Sequence, residues 1–206
     1  MNKKAMYNLT YGLFVLTAQE NGRNNGCITN TAIQVTSEPN RITIAVNKAN
    51  FTQDMIYRTG KFNISVLSEK ADFALFQRFG FQSGRDVDKF RDFSDYAVAA
   101  NGITYITVGT NAWLSCETEQ QVDLGTHTLF IAQVTDMDVL SEDPSVTYAY
   151  YQKNIKPAPG EVQKPDPGMH IWRCKVCGYE YTGRELPDDF ICPICKHPAS
   201  DFEMIQ

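Results

Sequence analysis

Cys174-Lys175-Val176-Cys177-Gly178-Tyr179, then Pro187-Asp188-Asp189-Phe190-Ile191-Cys192-Pro193-Ile194-Cys195, is the stretch that divides this chain into two kinds of structure. Its two Cys-x-x-Cys pairs stand 14 residues apart, a spacing that brings four thiolates around one tetrahedral metal. Each pair reads as a tight loop with both sulfurs turned toward the ion. Gly178 suits the position after such a pair, where a positive φ is often required. Four thiolates accept zinc or a single iron equally well. The five aromatics Trp172, Tyr179, Tyr181, Phe190 and Phe202 favour iron. An apolar jacket tunes a redox potential, whereas a structural zinc has no use for one. On the motif alone a zinc ribbon stays open.

So small a segment cannot fold on apolar burial alone, so bound metal has to supply its stability. Over residues 169–206 these motifs resemble a rubredoxin domain, in the abbreviated form found at the end of rubrerythrins. The gap between the pairs is shorter than in free-standing rubredoxins, and Lys196 stands where a second glycine is usual. The resemblance implies one iron held by Cys174, Cys177, Cys192 and Cys195.

Immediately upstream, residues 156–168 hold four of the chain's nine prolines and almost no apolar bulk. They read as a stiffened linker, whose 13 residues reach up to about 40 Å in polyproline geometry. Residues 1–155 remain as a larger domain, long enough within a 206-residue chain to bury a sizeable core.

A formal net charge of −5 gives no reason to expect nucleic acid or an anionic membrane surface as a partner. The two cysteines outside the metal pairs, Cys27 and Cys116, are isolated, which fits a reducing compartment better than a disulfide framework. Leu13–Leu16 is too short for a signal core or a membrane span, so the simplest expectation is cytoplasmic.

Within 1–155 the pattern is mainly β with short helices. Tyr11–Ala18 reads as a strand running into the Asn21-Gly22 turn. Ile33, Val35, Ile42, Ile44 and Val46 alternate with polar residues as half-buried strands do, with Pro39-Asn40 turning between them. Asn50 or Thr52 caps a helix. Lys61–Leu67 predicts a strand and Ala71–Phe79 a helix. Residues 103–108, 112–122 and 129–139 predict further strands, and 146–152 a terminal helix. The fold expected is α+β, a single antiparallel barrel with peripheral helices rather than βαβ units.

Three segments carry binding chemistry. Thr29-Asn30-Thr31 offers short side chains and backbone N–H groups, expected on an exposed turn. Asn47-Lys48-Ala49-Asn50-Phe51-Thr52 sets a cation beside a helix N-terminus, where amides and dipole favour an anion. Ser83-Gly84-Arg85, with Lys89, adds a second cationic loop able to hold phosphate oxygens. No Gly-x-Gly-x-x-Gly and no Walker lysine is present, which removes the Rossmann and P-loop readings.

The run Gly26-Cys27-Ile28-Thr29-Asn30-Thr31-Ala32, with Val35-Thr36 and Pro39, resembles the flavin reductase family of FMN-binding split barrels. So do Asn47-Lys48 with Asn50 and Thr52, Phe79-Gly80 with Ser83-Gly84-Arg85-Asp86 and Lys89-Phe90, and Asp123 with Gly125-Thr126-His127-Thr128-Leu129-Phe130. The similarity runs through residues 3–155. It implies a homodimer with FMN near the subunit interface and NADH as donor; the sequence does not separate NADH from NADPH. By this resemblance Thr29, Asn30 and Thr31 line the isoalloxazine edge. Lys48, Asn50 and Thr52 hold the ribityl chain and phosphate, helped by Ser83, Gly84 and Arg85, with Asn47 and Lys89 also counted among the cofactor-binding residues. Cys27 lies inside the flavin motif, where it reads first as a small buried hydrophobe and second as a contact to the ring. His127 matches the family's histidine near the nicotinamide, and a lone histidine in a β-rich segment also reads as structural.

The two resemblances together imply an NAD(P)H-dependent oxidoreductase in which electrons pass from nicotinamide through FMN to a four-cysteine iron and on to an external acceptor protein. By resemblance that acceptor is a flavodiiron-type oxygen or nitric oxide reductase. The small domain carries six acidic residues against four basic, a slight acidity able to steer it to a basic partner. Two rivals stand beside this reading. One is a flavin reductase that releases reduced FMN and uses a zinc ribbon for docking. The other is a non-enzymatic binding module.

Overall fold

The computed structural model describes residues 2–156, 168–175, 178–192 and 197–205. The chain divides into two compact units, Met1–Lys156 and Pro157–Gln206. Of the expected linker, residues 157–167 lie outside those described, as do Cys177 and Cys195.

The first unit is built on a seven-stranded antiparallel sheet. In chain order its elements are β1 (Phe14–Glu20), β2 (Arg23–Thr29), β3 (Ile33–Ser37), β4 (Asn40–Asn47), α1 (Phe51–Thr59), β5 (Lys61–Leu67), α2 (Phe73–Gly80), a small hairpin of β6 (Tyr96–Val98) and β7 (Thr104–Ile106), and the long hairpin of β8 (Thr110–Asp123) and β9 (His127–Val139). Across the sheet the strands lie in the order β2-β1-β5-β8-β9-β4-β3. A last helical turn at Tyr148–Tyr150 runs into a π-helical turn at Tyr151–Ile155.

The central strands are enclosed on both faces, and their sequences show why. On β1, Val15 and Leu16 point to opposite faces, and both are fully buried. Leu16 joins Ile44, Phe62, Ile64 and Phe130 in a core that receives Met55 and Ile56 of α1. Val15 joins Leu67 and Ile106 in a second core, where Leu75, Phe76 and Phe79 of α2 close the other face. Burying a side chain such as Phe62 contributes about 1.5–3 kcal/mol, so the two helices act as lids on one sheet. Both lids are fixed at their starts by side chains. Asn50 accepts from the Thr52 N–H and Asp72 from the Leu75 N–H.

Between the lids, β7 is pinned by a buried polar network. Thr17 Oγ1 donates to the Thr104 carbonyl (2.5 Å), and Asn63 Nδ2 to the Ile103 carbonyl (2.9 Å). Asn101 Nδ2 and Ser115 Oγ both donate to Asn63 Oδ1, at 2.7 and 2.8 Å. Asn63 is thereby satisfied at full burial, where an unpaired amide would be costly.

Two expectations are revised. Residues 33–35 alternate as a half-buried strand should, yet all of β3 is exposed. It is an edge strand, paired on one side with β4 alone, so no element of this unit covers it. Residues 23–29, to which the sequence pattern assigned no element, form β2. Thr29 accordingly ends a buried strand instead of sitting on an exposed turn.

The second unit is a three-stranded antiparallel sheet in the order β11-β10-β12, formed by β10 (His170–Cys174), β11 (Glu180–Gly183) and β12 (Phe202–Met204). No helix among the described residues is long and apolar enough to cross a membrane.

Candidate functional site

β2 lies under both lids. Its even-numbered side meets α2, where Gly26 and Ile28 border Phe79 and Gly80. Its odd-numbered side meets the start of α1, and most of the sequence-predicted binding residues gather there. Asn25 Nδ2 donates to Thr52 Oγ1 (2.9 Å), and both residues are buried. Burial pushes the Cys27 thiol up, against the opposing pull of Lys89 and of hydrogen bonds with Thr52 and Asn50. At the end of the strand Thr29 Oγ1 lies 3.0 Å from Thr31 Oγ1. Thr31 Oγ1 donates to the Ala45 carbonyl and accepts from the Ala45 N–H (2.9 and 3.0 Å), which ties the segment after β2 to β4. Asn30, between them, is half-buried.

The loop 83–85 closes onto the same place. Ser83 Oγ accepts from the Arg85 N–H (3.2 Å). Gly84 comes so close to Asn25 that a Cβ there would collide with the Asn25 amide, so glycine is needed for the approach. Its carbonyl accepts from Arg23 Nη2 at 2.6 Å. Arg85 Nη2 pairs with Asp54 at 2.6 Å. Both guanidiniums lie against one ring, that of Phe51 at the first position of α1. Arg23 Cζ is 4.8 Å and Arg85 Cζ 5.2 Å from its centroid.

A third patch forms where β4 leaves the sheet. Asn47 pairs with His127 in register, and its Oδ1 accepts from the Ala49 N–H (2.9 Å). The Lys48 N–H donates to the Thr126 carbonyl (3.0 Å), and its ammonium pairs with Asp123 (2.6 Å). Lys48, with the Gly125 N–H, holds the Asp123 carboxyl below its usual range. His127 Nδ1 lies 2.9 Å from Thr126 Oγ1. A cleft of about 390 Å³ borders this patch, with Lys48, Tyr57, Gln121 and Asp123 among its walls.

The predicted residues therefore fall into two layers. Asn30, Thr31, Asn47, Lys48, Asn50, Ser83 and Arg85 form the outer one, with Thr29 and Gly84 buried among them. Cys27, Thr52 and Lys89 lie behind it. Thr52 is fully enclosed. Lys89 is 3% exposed and donates to the Gly26 and Phe79 carbonyls, both at 2.9 Å. Burial lowers its pKa. In that position the ammonium ties β2 to α2 beneath the surface. Three residues of this neighbourhood, Arg23, Asn25 and Phe51, escaped the reading of the sequence. Arg23 and Asn25 share a strand face with Cys27 by simple alternation, so recognising β2 as a strand would have found them.

In the second unit, Cys174 ends β10 and Cys192 follows the Pro187–Phe190 turn. Both are buried in one cluster with Phe202, against Trp172, Tyr179, Tyr181, Leu186 and Phe190. The Gly178 N–H donates to the Cys174 carbonyl (2.9 Å), with Gly178 at φ 79. The Cys174 N–H donates to the Tyr179 carbonyl and the Cys192 N–H to that of His197, both at 2.8 Å. Two buried cysteines in one cluster fit half of a four-thiolate metal site.

Residues 6–159 match the model of the flavin reductase like domain, and residues 172–203 that of the rubrerythrin, rubredoxin-like domain. Along the full length of both chains the protein is 36% identical to the high molecular weight rubredoxin of Moorella thermoacetica. It is 35% identical to the ferric-chelate reductase (NAD(P)H) of Archaeoglobus fulgidus, over 73% of this chain and 89% of that one. Among solved structures, the NADH:FAD oxidoreductase SgcE6 of Streptomyces globisporus, in complex with NAD and FAD fragments, superposes with a TM-score of 0.64. That match covers 78% of this chain and 93% of the other at 20% identity, a likeness of fold.

Proposed function

The chain belongs to the flavin reductase-like family, with a rubredoxin-like domain at its C-terminal end, and from that premise we propose that it passes electrons from NAD(P)H through FMN to a rubredoxin-type iron and on to an external acceptor protein. It is an oxidoreductase, as its ferric-chelate reductase and flavin reductase relatives are. The observation that carries the reading is the coexistence in one chain of the polar cradle on β2, α1 and loop 83–85 with the buried Cys174–Cys192 cluster.

A bound flavin supplies the step no amino-acid side chain can, turning a hydride's electron pair into single electrons that a one-iron centre can accept. The protein's share is binding and placement. Thr29, Asn30 and Thr31 line the ring edge. Asn47, Lys48 and Asn50 hold the ribityl chain, and Ser83, Gly84 and Arg85 hold the phosphate. Thr52, Cys27 and Lys89 support them from behind. His127 borders the nicotinamide. No residue has to move a proton for hydride transfer, which agrees with a site made of hydrogen-bonding and cationic groups. Cys174, Cys177, Cys192 and Cys195 would hold the iron, and the aromatic jacket around Cys174 and Cys192 would keep water from it. The acceptor is of flavodiiron type, taking electrons from the small domain.

A second copy of the chain covers the exposed face of β3. Ile33 and Val35 are 62% and 48% exposed there. Ile33 lines an apolar cleft of about 250 Å³ together with Phe14, Ala32, Ile42 and Leu114. An uncovered apolar edge of this kind invites pairing, and sedimentation equilibrium should give a dimer.

A visible spectrum with metal analysis, on protein from an iron-replete anaerobic culture, tests the assignment. Flavin bands together with ferric–thiolate charge transfer and one iron per chain are expected. Zinc with no yellow cofactor would overturn it.

A further inference from the structure

We propose that Arg23 reads the phosphate of the flavin, forming with Arg85 a two-guanidinium clamp on Phe51 that selects phosphorylated flavins over riboflavin. The inference rests on the flavin site proposed above and adds a residue outside the motifs that carry the family resemblance. Arg23 opens β2 on the face of Asn25 and Cys27, so the alternation of the strand delivers its side chain to the start of α1. Its guanidinium is held at two points, by the Phe51 ring at 4.8 Å and by the Gly84 carbonyl at 2.6 Å. Arg85 reaches the same ring from the other loop at 5.2 Å and is anchored by Asp54.

Two cations are thus brought to one phenyl ring, Arg85 paired with Asp54 and Arg23 bonded to the neutral Gly84 carbonyl. Like charges gathered at one spot raise each other's free energy unless an anion joins them. The positive end of α1, a nine-residue helix whose first turn begins at Phe51, adds to the same potential. A guanidinium carries five N–H donors, and the bond to Gly84 uses one of Arg23's. The fixed, planar fork that remains suits phosphate oxygens better than a mobile ammonium would. Asn25, 2% exposed and bonded to Thr52, holds β2 and α1 at the separation this clamp requires.

The experiment measures flavin affinity on deflavinated full-length protein by quenching of flavin fluorescence, with FMN and riboflavin as probes, in wild type, Arg23→Gln and Arg23→Lys. Loss of a charge-assisted phosphate contact should weaken FMN by on the order of tenfold to a hundredfold in Arg23→Gln. Riboflavin affinity should stay within about twofold of wild type, and Arg23→Lys should recover part of the FMN loss. The melting temperature of the flavin-free variants is read alongside, so that a folding defect is seen directly. If FMN and riboflavin weaken together, or neither changes, Arg23 merely braces the loop and the inference fails while the flavin site stands. Wild-type protein that takes up neither flavin sinks both.

Discussion

The two units use the same residue in opposite ways. In the sheet domain Cys27 and Cys116 are scattered, buried among aliphatic side chains and unbridged. Burial pushes the Cys116 thiol up to about 12, so it stays protonated and inert. In the small domain Cys174 and Cys192 converge on one cluster, in which Phe202 is buried beside them. The large unit folds by enclosing a sheet between helices and uses its cysteines as filler. The small one encloses a single aromatic cluster around its cysteines, too little to fold on apolar burial alone, so metal held by those cysteines should be what makes it fold. Isolated or paired spacing along the chain already separates the two uses.

The contrast is broken most sharply by removing the metal. Stripping it with a chelator, or substituting Cys192→Ser, should abolish the ordered fold of the small domain. The thermal transition of the sheet domain should remain within a few degrees, seen as separate transitions in calorimetry. Loss of both transitions together would show that the units do not fold independently. The reciprocal change is Phe62→Ala, a cavity in the apolar core. It should cost the sheet domain about 3–5 kcal/mol in denaturant unfolding and leave the metal chromophore intact.

Alkali sharpens the difference between the thiols. The native Cys116 keeps its proton until pH reaches about 12, whereas the unfolded thiol loses it near the ordinary value of 9.0. Between those values the unfolded state binds fewer protons, so stability falls as pH rises. The Cys116 share is about 1.4 kcal/mol by pH 10. Cys116→Ala should flatten that part of the pH profile, and an unchanged slope would mean that the thiol is not enclosed as described. The smallest effect expected is from Asn50→Ala, the cap of α1. It should lower the stability of the sheet domain by about 1 kcal/mol while weakening FMN, because the cap and the cradle are the same corner of the chain. Unchanged FMN affinity would separate them.

Much of this was legible in the sequence because local chemistry and fold agree. The Asn21-Gly22 turn, the helix cap narrowed to Asn50 or Thr52, and the strand 61–67 each announce themselves. What escaped reading depended on position in the sheet. β3 has the alternation of a half-buried strand, but whether an edge strand is covered is decided by its neighbours. β2 carries Asn24, Asn25 and Gly26, poor strand formers that pairing with β1 and the two lids override. Register shifts between Ser115 and Cys116 and between Thr118 and Gln120 break the alternation in β8, so its faces could not be read by period. The outer layer of the cradle was found from motifs. Its depth was not, because a lysine such as Lys89 looks the same on paper whether it reaches for a ligand or for two carbonyls.

The central claim is an order of events, and stopped-flow absorbance under anaerobic conditions tests it most directly. When holoprotein is mixed with NADH, the flavin band should fall first and the ferric–thiolate band should follow it. In protein stripped of flavin the iron should stay oxidised. Iron bleaching as fast without flavin as with it would contradict the account.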